Sequence, residues 1–384
     1  MGVLSRTPAP IDADRPAAAD LLRVLAAWAV GAFHIWQQSW YSGAAPAHWL
    51  RAGSVGVDWL VLLSAFCLFL PWANAAAQGR PLPLTRPAAF YRRRAARLLP
   101  AYYASLLFSL VLALYRAGWS RTLGIDLAAH LTLTQQLFPQ SYLATRLNGV
   151  TWTLTVFALF YLVFPLLAPL CVRRPLPTLG ALCAVQLGYT LWALPQYGSD
   201  AYSSLFNQFP AFCGVLAVGL AAALVFARLA RGGWTQRLLP RAGCTVLGVL
   251  ALVWLNAQLR AQAYAVEFQR YQLVNRMPLA LAAAAVLVGF GLGLTPPRPV
   301  RRVLSWLAAL SYSFYLWHQQ LTLFLKYDLH LPAWTGTIPP NQQGDTVWMQ
   351  QAHALYWTAA IAVTLAAYYG VEKPIAKRLH GKKG

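Results

Sequence analysis

Ten apolar stretches, each close to the length that crosses a bilayer as a helix, constrain this chain more than any other feature of its sequence. Read at about 20 mostly apolar residues per span, they fall near 21–40, 54–72, 101–118, 150–171, 177–195, 209–227, 243–260, 277–295, 303–325 and 352–371. Hydrocarbon offers a backbone no water to bond, so each stretch must satisfy its own N–H and C=O groups. The expected fold is therefore all-α: a polytopic membrane helix bundle with about ten transmembrane helices. Composition agrees. The chain is 58% hydrophobic and 11% charged, where a soluble domain carries roughly 25% charged residues.

Charge then sets the expected orientation. The formal net charge is +21, with 31 Lys and Arg against ten carboxylates. Lys and Arg concentrate on the cytoplasmic side of membrane proteins. Starting the chain in the cytoplasm places 23 of the 31 in inner segments. The other eight, Arg51, Arg116, Arg121, Arg146, Arg260, Arg270, Arg276 and Lys326, fall outside. Both termini are thus expected to be cytoplasmic, with residues 1–20 a cytoplasmic segment, 21–375 one membrane domain and 376–384 a basic tail. The positive charge sits between apolar stretches rather than along an amphipathic face, which argues against nucleic acid. Residues 1–20 lack the pattern of a cleavable signal peptide. The five cysteines show no paired spacing, so neither a disulfide framework nor a metal site is expected. The preference for Arg over Lys, 26 against 5, fits a GC-rich bacterium, and the expected location is the bacterial inner membrane.

Ionisable residues inside a span are costly and mark candidate functional sites. His34 lies deep in the first span, eleven positions after Arg23 at its cytoplasmic end. Eleven residues is close to three helical turns, which puts both on nearly one face about 16 Å apart along the axis. Asp58, a carboxylate well inside the second span, has a depth matching that of His34. A carboxylate beside an imidazole fixes its tautomer and raises its basicity, the arrangement of a general base and its orienting group. The competing readings are a neutral His bonded between helices and an Asp that caps the second helix. The inner loop Phe90–Pro100 carries Arg93, Arg94 and Arg97 at helical spacing, suited to converging on phosphate. Its competing reading is plain topological charge or anionic lipid. His318 lies toward the outer end of the ninth span, where an aromatic belt is the alternative setting. Pro374 is expected to stop the last helix. The chain contains no P-loop, dinucleotide-binding glycine motif, Gly-x-Ser-x-Gly elbow or metal-binding His pair.

These segments together resemble the acyltransferase-3 family of integral membrane acyltransferases. The matching pieces run through nearly the whole chain: Arg23 with His34; Gly56-Val57-Asp58 followed by Leu63-Ser64-Ala65-Phe66; Phe90 with Arg93, Arg94, Arg97 and Pro100; Trp152-Thr153-Leu154 followed by Phe160-Tyr161-Leu162; Ser311 through His318; and Glu372-Lys373-Pro374. The resemblance implies transfer of an acyl group, usually acetyl, from cytoplasmic acyl-CoA to a hydroxyl of a carbohydrate or lipid acceptor. It assigns the base to His34 and the CoA-binding arginines to Arg93, Arg94 and Arg97. Acyl-CoA would be a co-substrate, with no permanently bound cofactor. Asp58 and Arg23 join as catalytic and CoA-binding candidates. Trp152, Thr153, Tyr161 and His318 are candidates for the acceptor side or for supporting the base. Two departures stand out. The family has a Glu five residues after the Trp of the fourth span, and here that position is Phe157, followed by Ala158. Ala65 replaces a usual Gly, which is expected to change packing only.

Two other classes compete with a membrane O-acyltransferase. A transporter or flippase of an anionic acyl or lipid-linked substrate would show Gly/Pro-broken helices in matching halves, and no such repeat is visible. A degenerate family member with a binding role is motivated by Phe157. Neither the acceptor, the acyl chain length nor the oligomeric state is legible in the sequence.

Overall fold

The computed structural model describes residues 11–43, 46–83, 86–198 and 202–380; Arg6, Asp200, Lys382 and Lys383 lie outside them. Among the described residues every regular element is helical and there is no strand. In chain order these are α1 (Ala17–Ser39), α2 (Ala47–Arg51), α3 (Gly56–Ala77), α4 (Pro87–Ala117), α5 (Arg121–Leu131), α6 (Pro139–Tyr142), α7 (Trp152–Arg173), α8 (Pro175–Ala193), α9 (Tyr202–Leu205), α10 (Cys213–Arg231), α11 (Leu238–Ala263), α12 (Phe268–Gly293), α13 (Arg298–Leu323), α14 (Thr346–Ala367) and α15 (Lys373–His380). Nine of the described helices are both long and apolar enough to span a membrane. The chain is a multi-pass, all-α membrane protein. The remaining expected span is α13. Its 26 residues reach about 39 Å, but it begins with Arg298, Arg301 and Arg302 and carries a polar run from Ser311 to Gln320.

Three sequence expectations change. The basic run 90–100 is no loop: it is the inner part of α4, a single 31-residue helix with Pro100 inside it. A proline is tolerated in a membrane helix where neighbours satisfy the freed carbonyl. Pro374 likewise does not end the last helix. A π turn over Tyr368–Glu372 leads directly into α15. That turn resets the hydrogen-bond register, so Pro374 falls in the first turn of the next segment, where its missing N–H has no partner to lose. Finally, Arg276 and Lys326, counted as outer-loop charges, are buried, as is Arg241 on the inner side.

The chain forms two compact units. The first comprises residues up to Ala26, Val55–Leu84 and Leu162–Ala309. Here α3 packs along α10, and α10 also packs on α8 and α12, while α11 pairs with α12. Most of α10 is buried. At Gly219 a Cβ would collide with the Leu62 carbonyl and would lie 2.8 Å from the Ala65 Cβ, so small residues set this helix–helix distance. Ala65 is thus a packing residue. Residues 12–20 are tied down by ion pairs of Arg301 with Asp12, Arg231 with Asp14 and Arg15 with Asp20.

The second unit comprises Ala27–Ser54, Thr85–Tyr161 and residues from Leu310 onward. It holds most of α1, all of α4 and α14, the start of α7 and the later part of α13. Its outer segment contains α5, capped by Ser120, whose side chain accepts from the Leu123 N–H at 3.1 Å. Asp126 of α5 holds the following loop, accepting from Thr145 Oγ1 at 2.9 Å and the Arg146 N–H at 3.0 Å. His130 Nδ1 stands 3.1 Å from the same carboxylate.

Candidate active site

The site is built where α1 meets α13 in the second unit. Gly31 makes the close approach possible: a Cβ there would collide with the Phe314 ring. Phe314 is fully buried. It stacks on Trp28 with ring centroids 4.4 Å apart and on Trp357 at 5.8 Å. One turn beyond Gly31, His34 therefore faces the turn of α13 beyond Phe314.

His34 is partly exposed. Its Nδ1 lies 3.0 Å from Gln37 Oε1 and 2.9 Å from Gln319 Nε2. The His318 ring is 5.3 Å away, centroid to centroid. His318 itself is fully buried, and its Nδ1 is 3.0 Å from the Phe314 carbonyl. A carbonyl only accepts, so Nδ1 carries the hydrogen and Nε2 keeps its lone pair. That Nε2 is buried without a hydrogen-bond partner. Two imidazoles thus stand side by side, one on a partly exposed residue and one fully buried.

Among the described contacts, His34 is held by two side-chain amides and Asp58 by partners in its own unit. Asp58 is fully buried in the first unit. Arg276 Nε is 3.0 Å from its Oδ1, and Gln272 Nε2 is 3.4 Å from its Oδ2. Arg276 is fully buried too. It donates to the Phe206 carbonyl at 3.2 Å and to Asn207 Oδ1 at 3.1 Å. Its guanidinium lies over the Phe212 ring at 4.1 Å. Each charge meets its opposite, as burial requires. The sequence placed Arg276 in a loop, so this pairing was invisible.

Of the arginines, Arg93 and Arg97 are exposed and Arg94 is partly buried, its guanidinium 5.7 Å from the Phe90 ring. All three share one side of α4. The helix is held by Tyr312 of α13, whose hydroxyl donates to the Leu98 carbonyl at 2.9 Å. Next to Tyr312, Ser313 hydrogen-bonds Glu372 of the π turn, and Glu372 feels the charge of Arg97. Arg23, in the first unit, is already engaged by Asp20 at 3.4 Å and by Cys67 Sγ at 3.5 Å.

The remaining candidates are occupied. The Thr153 hydroxyl is 3.0 Å from the Tyr315 hydroxyl, and both address the Val150 carbonyl. Trp152 packs edge-on to Tyr142 at 6.0 Å. Tyr161 stacks on Phe157 at 6.3 Å. Phe157 joins an apolar cluster with Tyr102, Leu154 and Leu316, so no carboxylate stands where the resemblance expects one. Gln37, Gln319 and the Ser313–Glu372 contact were not singled out from the sequence. Their signal was present: Gln37 falls one turn after His34, and Gln319 adjoins His318 in a polar run within a membrane helix.

A family model described as an acyltransferase domain matches residues 17–371. The chain belongs to the acyltransferase-3 family. It is 30% identical over 181 residues to acyltransferase MdmB of Streptomyces mycarofaciens. That match covers 45% of this chain and 44% of MdmB, so it spans less than half of either protein. No solved structure matches the chain.

Proposed function

We propose that this acyltransferase moves an acyl group, acetyl in the simplest case, from cytoplasmic acyl-CoA to a hydroxyl of a carbohydrate or lipid acceptor, with His34 as general base. The observation that carries this reading is the imidazole of His34, a partly exposed residue inside a membrane-spanning helix. Its Nδ1 is held by glutamine amides, which leaves Nε2 to meet a substrate. In the reaction Nε2 takes the proton of the acceptor hydroxyl as its oxygen attacks the thioester carbon. The tetrahedral oxyanion collapses and breaks the C–S bond. The departing CoA thiolate receives the same proton from the His34 imidazolium. A positioned base of this kind contributes about 10²–10⁴ in rate.

Arg93, Arg94 and Arg97 supply the anion site for the CoA phosphates, where guanidinium forks bind phosphate oxygens in pairs. Arg23 contributes less, being already paired with Asp20. The protein then sits in the bacterial inner membrane with the arginine end of α4 in the cytoplasm.

The test supplies labelled acetyl-CoA to the purified protein with an envelope extract and follows the label into acceptor. His34→Ala should reduce transfer at least about 100-fold while the protein still inserts. Arg94→Ala and Arg97→Ala should each raise KM for acetyl-CoA about tenfold, the worth of one charge-assisted hydrogen bond. Undiminished transfer by His34→Ala overturns the reading.

A further inference from the structure

His34 Nδ1 has two partners that ask opposite things of it. Gln37 Oε1, at 3.0 Å, is an acceptor and needs a hydrogen on Nδ1. Gln319 Nε2, at 2.9 Å, is a donor and needs a lone pair there. A neutral imidazole carries one hydrogen, so the two contacts select different tautomers. With the hydrogen on Nδ1, Gln37 is satisfied and Nε2 holds a lone pair: His34 is a base. With Gln319 donating, the hydrogen moves to Nε2, and His34 has no basic nitrogen to offer a substrate. The imidazolium formed during reaction carries hydrogen on both nitrogens, so it too is favoured by Gln37 and opposed by Gln319.

We propose that Gln319 is a latch that holds His34 in its idle tautomer until a ligand oxygen draws off the amide N–H, and that Gln37 is the positioning residue for the working tautomer. The inference rests on His34 being the base. Its consequence is protective. A membrane enzyme holding acyl-CoA beside a permanently active base would lose acyl groups to water. In that side reaction water gives its proton to Nε2, its oxygen bonds to the thioester carbon, the C–S bond breaks, and the thiolate recovers the proton. The products are carboxylic acid and CoA thiol. The latch suppresses this path while no acceptor is bound.

The experiment needs no identified acceptor. Purified protein in nanodiscs is given acetyl-CoA alone, and release of CoA thiol is followed for the wild type, His34→Ala, Gln319→Leu, Gln37→Leu and the double Gln37→Leu/Gln319→Leu. Gln319→Leu should hydrolyse acetyl-CoA about tenfold faster than the wild type, the effect of removing one opposing hydrogen bond. Gln37→Leu should fall toward His34→Ala. Removing Gln319 in the Gln37→Leu background should restore part of the rate, a non-additive sign that a purely structural role does not give. Nitrogen-15 NMR of histidine-labelled protein gives a readout independent of turnover, with the His34 signals assigned by their loss in His34→Asn. Gln319→Leu should enrich the Nδ1–H tautomer and Gln37→Leu the Nε2–H tautomer. One unchanged tautomer across all variants, or a Gln319→Leu rate at or below wild type, overturns the latch while leaving the base in place. Hydrolysis by His34→Ala as fast as wild type overturns the base itself, and the latch with it.

Discussion

At the scale of single residues, the polar groups inside this protein divide into those that face an opposite charge and those that face none. Asp58 and Arg276 are of the first kind, each fully buried and facing the other at 3.0 Å. His318 is of the second, with an enclosed Nε2 and no partner. The distinction sets what substitutions do. Asp58→Ala leaves a guanidinium buried without its counter-ion and should destabilise by about 3–5 kcal/mol. Replacing both charges, as Asp58→Leu with Arg276→Met, should return most of that stability, because an apolar pair of similar volume avoids desolvating two ions. Thermal unfolding in detergent measures the stability. Acetyl transfer by the double variant measures the chemistry, and transfer near the wild-type rate places Asp58 outside it. A stable Asp58→Ala protein that transfers nothing would put the carboxylate back beside the base.

Elements were the level most legible in the sequence, and their failures have physical causes. Span positions follow from apolar length alone, because a bilayer permits few alternatives to a helix. The basic run 90–100 looks like a loop in the sequence because it lies between two apolar stretches and ends at a proline; in the structure α4 continues through Pro100. Pro374 misled for the same reason, since a π turn is not written in residue type. The His34 amide partner Gln319 lies 285 positions away in the chain, and no local pattern announces such a contact. What brings the two together is the packing of α1 on α13 at Gly31. Gly31→Ala places a methyl group in the space of the Phe314 ring, which Trp28 and Trp357 hold in a stack. Overpacking of this kind costs about 1–3 kcal/mol. A shift near 1 Å between base and substrate costs about 100-fold in rate. Gly31→Ala should therefore lose more in kcat than in stability, and Gly31→Ala/Phe314→Leu, which reopens the space, should recover part of both. Steady-state kinetics and unfolding midpoints on the three proteins decide it.

At the scale of the whole molecule, the charge distribution reports orientation only where the charges face water. Arg276 and Lys326 are buried and bonded within the protein, Lys326 through its Nζ to the Gln38 carbonyl at 2.8 Å. Arg241 on the inner side is buried as well. Removing these three from the count sharpens the inner excess of Lys and Arg, since two of them came from the smaller, outer set. The rule acts on short loops and the flanks of spans, which is where most of the remaining inner arginines lie: beside the ends of α3, α4, α7, α10 and α13 on the side assigned to the cytoplasm. The orientation matters to the proposed chemistry, because an arginine site on α4 could take acyl-CoA only from the compartment that contains it. Two exposed positions test it. Gln78 follows α3 on the side assigned to the cytoplasm and Gln342 precedes α14 on the side assigned to the exterior. With the native cysteines replaced, Gln342→Cys should react with a membrane-impermeant maleimide in intact spheroplasts, and Gln78→Cys only after lysis. The reverse pattern would put the arginines of α4 on the wrong side of the membrane for a cytoplasmic thioester and remove CoA as the donor.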